Sequence, residues 1–176
     1  MPYICPPSAL GILESCGIDS KYVQTILPGQ SLQLKKQSIA LEIIATTGAL
    51  LGPPWQQPEN GYIIRSSDGA SLYYEPHCMF DVAELSKFTV DFVVTPITSQ
   101  ELPAFTLVAG GRKALDLAKT LKAKTVIPLA NGELDQSGIL ASIIDSVGTV
   151  QDFKSMAGRE NIKVLDIEAG VSYKLS

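Results

Sequence analysis

The stretch LYYEPHCMF, Leu72 to Phe80, carries the chain's only histidine, with Glu75 two residues before it and Cys78 directly after. In an extended strand alternate side chains share a face, so Glu75 and His77 would look into one cleft. A carboxylate beside an imidazole strengthens and orients it as a general base, and the two residue types also serve as metal ligands. The plain alternative is that His77 finishes a strand and bonds backbone in a Pro-bounded turn. That alternative is favoured, because a site needs convergent partners and the sequence does not show them. Cys78 and His77 are adjacent and would point to opposite faces of a strand, so a buried structural thiol is a better reading than a Cys and His nucleophile.

Three other stretches hold residues of chemical interest. ANGELD, residues 130–135, closes the apolar run KTVIPL, and in open α/β sheets the ligand crevice lies at such strand ends. There Asn131 could hydrogen-bond a substrate and Glu133 could act as acid, base or weak metal ligand. Equally, Asn131 and Gly132 make a turn and Glu133 suits the first turn of a helix. In VAGGRKALDLAK, Gly110 and Gly111 precede a helix start bearing Arg112 and Lys113, a place that can hold an anion but more often just turns the chain. The proline-limited stretch GPPWQQPENGY offers a pocket wall through Trp55, Glu59 and Asn60, although Trp55 is slightly better read as a plug for the core beneath it.

These groups need a scaffold, and the composition supplies one. A chain of 176 residues, 45% hydrophobic, fits a single domain spanning residues 1–176 with a sizeable core. A net charge of −4 gives no basic surface for a phosphate backbone, so nucleic acid is disfavoured as a partner. Three cysteines without CxxC spacing suggest neither a disulfide framework nor a structural zinc site, and point to a reducing compartment. No apolar run reaches membrane-helix length, and the opening reads as neither secretory signal nor transit peptide. The expectation is a cytoplasmic protein, or a plastid one if a parent protein has a longer N-terminus.

Along the chain, Ser8 and Gly17 bracket a first helix. Strands are expected at about 23–27, 31–35 and 39–46, with Pro28 and Gly29 as a turn. GYIIRSSDGASLYYE reads as a hairpin turned at Asp68 and Gly69. VAELSKF then fits a short helix, VDFVVTPI a buried strand, GGRKALDLAKTLKA an amphipathic helix and KTVIPL another buried strand. ILASIIDSVGTVQDFKSMAGRE reads as helical with a break near Gly148, before a last strand in IKVLDIEAG. Strands first, then alternation of strand and helix, imply a layered α/β (α+β) protein.

The ordered series LPGQSLQL, ALEIIATTGA, NGYIIRSSDGASLYYEPH, VDFVVTPI, GGRKALDLAKTLKAKTVIPLANGE and VLDIEAGVSYKL resembles the later part of a metallo-β-lactamase-fold protein. Through GPPWQQPENGY, YYEPH and IPLANGE it is similar to the metallo-hydrolase/oxidoreductase-like proteins of a plant and cyanobacterial branch. The resemblance implies a four-layer αββα sandwich of mixed sheets with helices on the outer faces, here incomplete. It also implies a metal box, and the chain departs from it: no His-x-His-x-Asp-His signature is present. The histidine expected after EIIAT falls around Gly48, and the one expected after VIPL falls at Ala130 or Asn131. Glu75 alone arguably keeps the carboxylate position, with His77, Cys78 and Asp81 as local donors.

Two functions follow as expectations. One is a protein of this fold with a degenerate metal site, inactive alone, acting as a binding or interaction module for a small molecule or a protein partner and prone to homo-oligomerise through an unpaired apolar edge. The alternative is a metal-dependent hydrolase of an ester, amide or phosphoester using zinc, iron or manganese. Its catalytic candidates are Glu75, His77, Asn131 and Glu133, and its metal candidates are Glu75 and His77.

Overall fold

The structure is a computed structural model that describes residues 3–36, 39–50, 55, 57–103, 105–129, 143–168 and 170–173. Its centre is a seven-stranded mixed sheet. Strands β3 (Ser31–Lys36), β4 (Ile39–Thr47), β5 (Asn60–Ser66) and β6 (Ser71–Tyr74) run antiparallel to one another. Strands β7 (Phe92–Pro96), β10 (Thr125–Leu129) and β12 (Lys163–Val164) then continue in parallel from β6, giving the order β12-β10-β7-β6-β5-β4-β3.

The antiparallel half follows from local chemistry. Gly29, at φ 83°, turns the chain into β3, and Gly29 and Ala45 are tied by the Gly29 N–H to the Ala45 carbonyl at 2.8 Å. Between β5 and β6 only Gly69 takes a positive φ, 97°, and its N–H meets the Ser66 carbonyl at 3.0 Å. The hairpin expected at Asp68 and Gly69 therefore closes with one left-handed residue rather than two. Asp68 contributes instead by accepting the Ala70 N–H at 3.2 Å.

One face of this sheet carries the core. Ile44, Ile63, Tyr73, Val93 and Val126 sit side by side on neighbouring strands through their register. Helices α2 (Val82–Leu85), α3 (Arg112–Thr120) and α4 (Val150–Arg159) cover them. Leu85, Leu115, Leu117, Leu121 and Phe153 complete the cluster, each essentially inaccessible to solvent, and each such burial stabilises the fold by roughly 1.5–3 kcal/mol. Asp81 caps α2 by accepting the Glu84 N–H, and Thr149 caps α4 by accepting that of Asp152. No described helix is long and apolar enough to cross a membrane.

Smaller pieces flank the sheet. A parallel pair, β1 (Tyr3–Cys5) with β2 (Val23–Thr25), brackets a 3-10 turn at Pro7–Ala9 and the short helix α1 (Leu10–Ser15), after which Gly17 takes φ 84°. A three-stranded sheet joins β8 (Ser99–Leu102) to β9 (Phe105–Val108) and β11 (Asp145–Val147).

Three expectations need correction here. The sequence reading sets a strand just before Gly110 and Gly111, where β9 lies, but places none at Ser99–Leu102, which the structure folds as β8. It also runs a helix through residues that the structure folds as β11, which Gly148, at φ 101°, separates from α4. Strand pairing across residues distant in sequence overrides local preference at Asp145–Val147. The last strand is also shorter than IKVLDIEAG, keeping only Lys163 and Val164.

Candidate functional site

Strand β6 ends at Tyr74, and the next residues turn. The alternation that would aim Glu75 and His77 into one cleft therefore stops before it reaches His77. Glu75 is fully buried, and its carboxylate folds back on its own chain: Oε1 accepts the His77 N–H at 3.1 Å and Oε2 accepts that of Met79 at 2.7 Å. Burial pushes its pKa up to about 7, partly offset by those two amides. The Glu75 carbonyl is tied as well, accepting the Thr95 hydroxyl of β7 at 3.2 Å.

His77 finds a different carboxylate. Its Nε2 lies 3.3 Å from Glu59 Oε2, while the buried Nδ1 has no hydrogen-bond partner among the described residues. A proton on Nε2 donated to Glu59 satisfies this arrangement, because a bare Nδ1 lone pair is less costly to bury than an unpaired N–H. The backbone carbonyl of His77 accepts the Ala109 N–H at 2.9 Å and pins the turn to the segment following β9.

Cys78, next in the chain, takes a left-handed φ of 53° and is completely buried. Burial pushes its thiol up to about 12, so it stays protonated and makes a poor nucleophile.

Glu59 and Asn60 lead into β5 beside this turn. They line a cavity of about 320 Å³ together with Tyr62, Tyr74 and Pro76. Pro6, Ala9 and Ile12 of the N-terminal segment contribute apolar wall, and Ser8 and Gln57 add polar groups. Asn60, 4% exposed, is held by its Nδ2 donating to the Ile26 carbonyl at 2.9 Å and approaching the Tyr62 hydroxyl at 3.3 Å. Trp55 is not among the lining residues and is 84% exposed, so the core plug expected of it is corrected. Tyr73, Phe153 and the helix leucines fill the core without it. The Asn131 and Glu133 candidates lie outside the described residues.

The two glycine sites have structural reasons. A Cβ on Gly48 would meet the Glu59 carbonyl oxygen at 2.9 Å and Asn60 backbone at 3.0 Å, while its N–H bonds Glu59 O at 2.8 Å. A Cβ on Gly110 would come within 2.7 Å of the Ile97 carbonyl carbon, and Gly111, at φ 51°, precedes α3. Close backbone approach thus accounts for Gly110 without an anion.

The family model described as a beta-lactamase superfamily domain matches residues 16–130, more than half of the chain. The chain belongs to the metallo-β-lactamase superfamily. Its fold is similar to that of Igni18, a metallo hydrolase from Ignicoccus hospitalis, at TM-score 0.67 and 18% identity, covering 99% of this chain and 70% of that one. It is similar also to a variant of the CmlA beta-hydroxylase of Streptomyces venezuelae, at TM-score 0.70 and 14% identity, over 95% of this chain and 38% of that one. A possible metal-dependent hydrolase from Veillonella parvula follows at 0.63 and 15%, over 99% and 67%. No curated protein matches the sequence.

Within this metallo-β-lactamase-fold chain, the positions that the resemblance assigns to a metal can be tested on their donors. Among the described residues no three His, Cys, Asp or Glu side chains gather where one cation could touch them all. Gly48 stands in a backbone contact too tight for any side chain. Glu75 is engaged with amides and His77 with Glu59. The described donor set does not fit a catalytic metal centre.

Sequence reasoning found Glu75 and His77 but not their partners. The pairing of His77 with Glu59 joins a loop to a turn on another strand end, and no periodicity signals it. Only the proline restriction of residues 53–58, which limits where Glu59 can point, hints at a built wall.

Proposed function

We propose that this metallo-β-lactamase-fold protein is a binding module with a degenerate metal site, inactive as a hydrolase by itself. The observation that carries this reading is the Glu75 carboxylate: at the position where a metal-binding carboxylate is expected, both of its oxygens accept amides of its own turn. A carboxylate used in this way stabilises a loop.

The pocket beside it supports binding. Tyr62, Tyr74, Pro76 and Ile12 offer an apolar surface for a ring or short aliphatic body, and Glu59, whose side chain is 47% exposed, offers an acceptor for a cationic or N–H-bearing head. The ligand class is a small amine or amide with an apolar body.

A fragment screen by chemical-shift mapping on isotope-labelled chain tests the reading. Aromatic amines should perturb the amides of Glu59, Tyr62 and Tyr74, and Glu59→Gln should weaken those hits selectively. Hits scattered elsewhere, or none in this cavity, would overturn it. The alternative of a metal-dependent hydrolase draws on the named activities of Igni18 and the Veillonella protein and on the Nδ1 of His77, which has no hydrogen-bond partner among the described residues. Assaying ester, amide and phosphodiester substrates after supplying zinc, iron or manganese decides between the two.

A further inference from the structure

The cavity beside the Glu75 turn brings together two aromatic rings and one uncompensated charge. Tyr62 of β5 and Tyr74 of β6 are register partners, so their side chains stand side by side on one face of the sheet, and both line the cavity. Tyr74 is 37% exposed and Tyr62 partly buried, so the core consumes neither ring. Glu59 enters from the residues before β5, and among the described residues its ion-pair contact is His77. With its proton on Nε2 and a bare Nδ1 that imidazole is neutral, which leaves the carboxylate charge in place. The described lining residues include no lysine or arginine.

Other rings of the chain already meet a cation of their own. Lys21 lies 4.9 Å from the centre of the Tyr22 ring, Lys113 5.1 Å from that of Phe80 and Arg65 5.9 Å from that of Phe88. Among the described residues no such cation stands over Tyr62 or Tyr74.

The cavity is also poor in hydrogen-bond acceptors. Asn60 is spent, with Nδ2 on the Ile26 carbonyl and the Tyr62 hydroxyl and Oδ1 sealed from solvent. Beside Glu59, only Ser8 and Gln57 add polar side chains to a wall that is otherwise rings and aliphatic carbon. A primary ammonium moved into such a place gives up its hydrogen bonds to water and recovers few of them. A quaternary ammonium has no N–H to satisfy, is attracted by ring faces, and gains from a nearby carboxylate without needing a hydrogen bond. At about 320 Å³ the cavity is at the small end of ligand pockets, roughly 300–1,000 Å³, which suits such a head on a short body.

We propose that Tyr62, Tyr74 and Glu59 form an aromatic cage for the methylated ammonium head of a small, phosphate-free ligand. It rests on the small-molecule pocket proposed above and goes further by naming the head that the pocket prefers. A phosphate on the ligand is disfavoured because Glu59 repels it and no lysine or arginine among the described lining residues meets it.

Chemical-shift titrations of the isotope-labelled full chain test the cage. The probes are choline, its uncharged isostere in which a tert-butyl group replaces the trimethylammonium, ethanolamine and phosphocholine. Choline should perturb the amides of Glu59, Tyr62 and Tyr74 and bind at least about tenfold more tightly than the isostere, and more tightly than ethanolamine or phosphocholine. Tyr74→Leu keeps apolar surface and removes the ring, so it should weaken choline about fivefold or more and leave the isostere unchanged. Tyr74→Phe, which keeps a ring, should bind choline nearly as the wild type does.

The comparison of probes needs no variant, so it decides the matter even where Tyr74→Leu fails to fold. Equal affinity for choline and the isostere, a folded Tyr74→Leu that weakens both or neither, or tighter binding of phosphocholine than of choline would each overturn the cage. Ethanolamine bound at these amides without choline would overturn it too and leave the amine pocket standing. No probe bound in this cavity would remove both.

Discussion

Glu75 and Met79 are joined by a 2.7 Å hydrogen bond from the Met79 N–H to Glu75 Oε2, made where the carboxylate has no contact with solvent. The bond explains why a buried acid is tolerated at the end of β6: it and the His77 amide solvate the carboxylate in place of water. The compensation is incomplete, and burial still raises the pKa from 4.5 to about 7.

This shift makes stability depend on pH in a defined direction. Between about pH 4.5 and 7 the native chain keeps a proton on Glu75 that the unfolded chain has lost. Stability contributed by the protonated group is fully present below the lower value, falls as pH rises, and levels off above the upper one. The gap corresponds to a loss on the order of 3 kcal/mol. Urea melts at a series of pH values should show this slope in the wild type and a flatter one in Glu75→Gln. Identical slopes would contradict the assignment.

Gly48 and Gly61 should resist even the smallest substitution. A Cβ on Gly61 would collide with the Tyr73 hydroxyl and lie 2.7 Å from Thr46 Oγ1, two groups already hydrogen-bonded at 3.3 Å in the core. At Gly48 the obstacle is backbone. Gly48→Ala and Gly61→Ala should each destabilise by about 1–3 kcal/mol, read from denaturant midpoints, and Gly48→His by more. Gly48→His folding at wild-type stability would show that the histidine expected there could be accommodated.

The three cysteines should separate cleanly by reactivity. Cys16 is exposed, whereas Cys5 and Cys78 are buried and burial raises both thiols. Native protein treated with iodoacetamide at neutral pH should be modified at Cys16 alone, and at all three residues once denatured. Rapid native modification of Cys78 would contradict the buried, protonated thiol.

Glu59 and His77 should matter more to binding than to stability. Their pair is partly exposed, with side chains at 47% and 22%, and such pairs contribute about 0–1 kcal/mol. Glu59→Gln should therefore change the denaturation midpoint little while weakening amine fragments at Tyr62 and Tyr74. A large loss of stability would assign the pair a structural role.

The fold was largely legible where chemistry is local. Alternation in SLQLKK and IALEIIATT, the turn glycines Gly29 and Gly69, and the one-sided apolar pattern of α3 each specify an element by near neighbours. Strands β8 and β11 were not legible, because Ser99–Leu102 and Asp145–Val147 are short and half polar and become strands only by pairing with each other. The site shows the same division. Residue types marked out Glu75 and His77, but the strand end at Tyr74 set their directions, and tertiary packing brought Glu59 to the imidazole.

The central claim is that the Glu75 and His77 corner holds its own turn rather than a cation. Elemental analysis of the purified chain after mild chelation and re-exposure to zinc, iron and manganese tests it most directly, run beside Glu75→Ala and His77→Ala. The account predicts far less than one equivalent of metal in the wild type and no difference in the variants. One or more equivalents retained by the wild type and lost in both variants would contradict it.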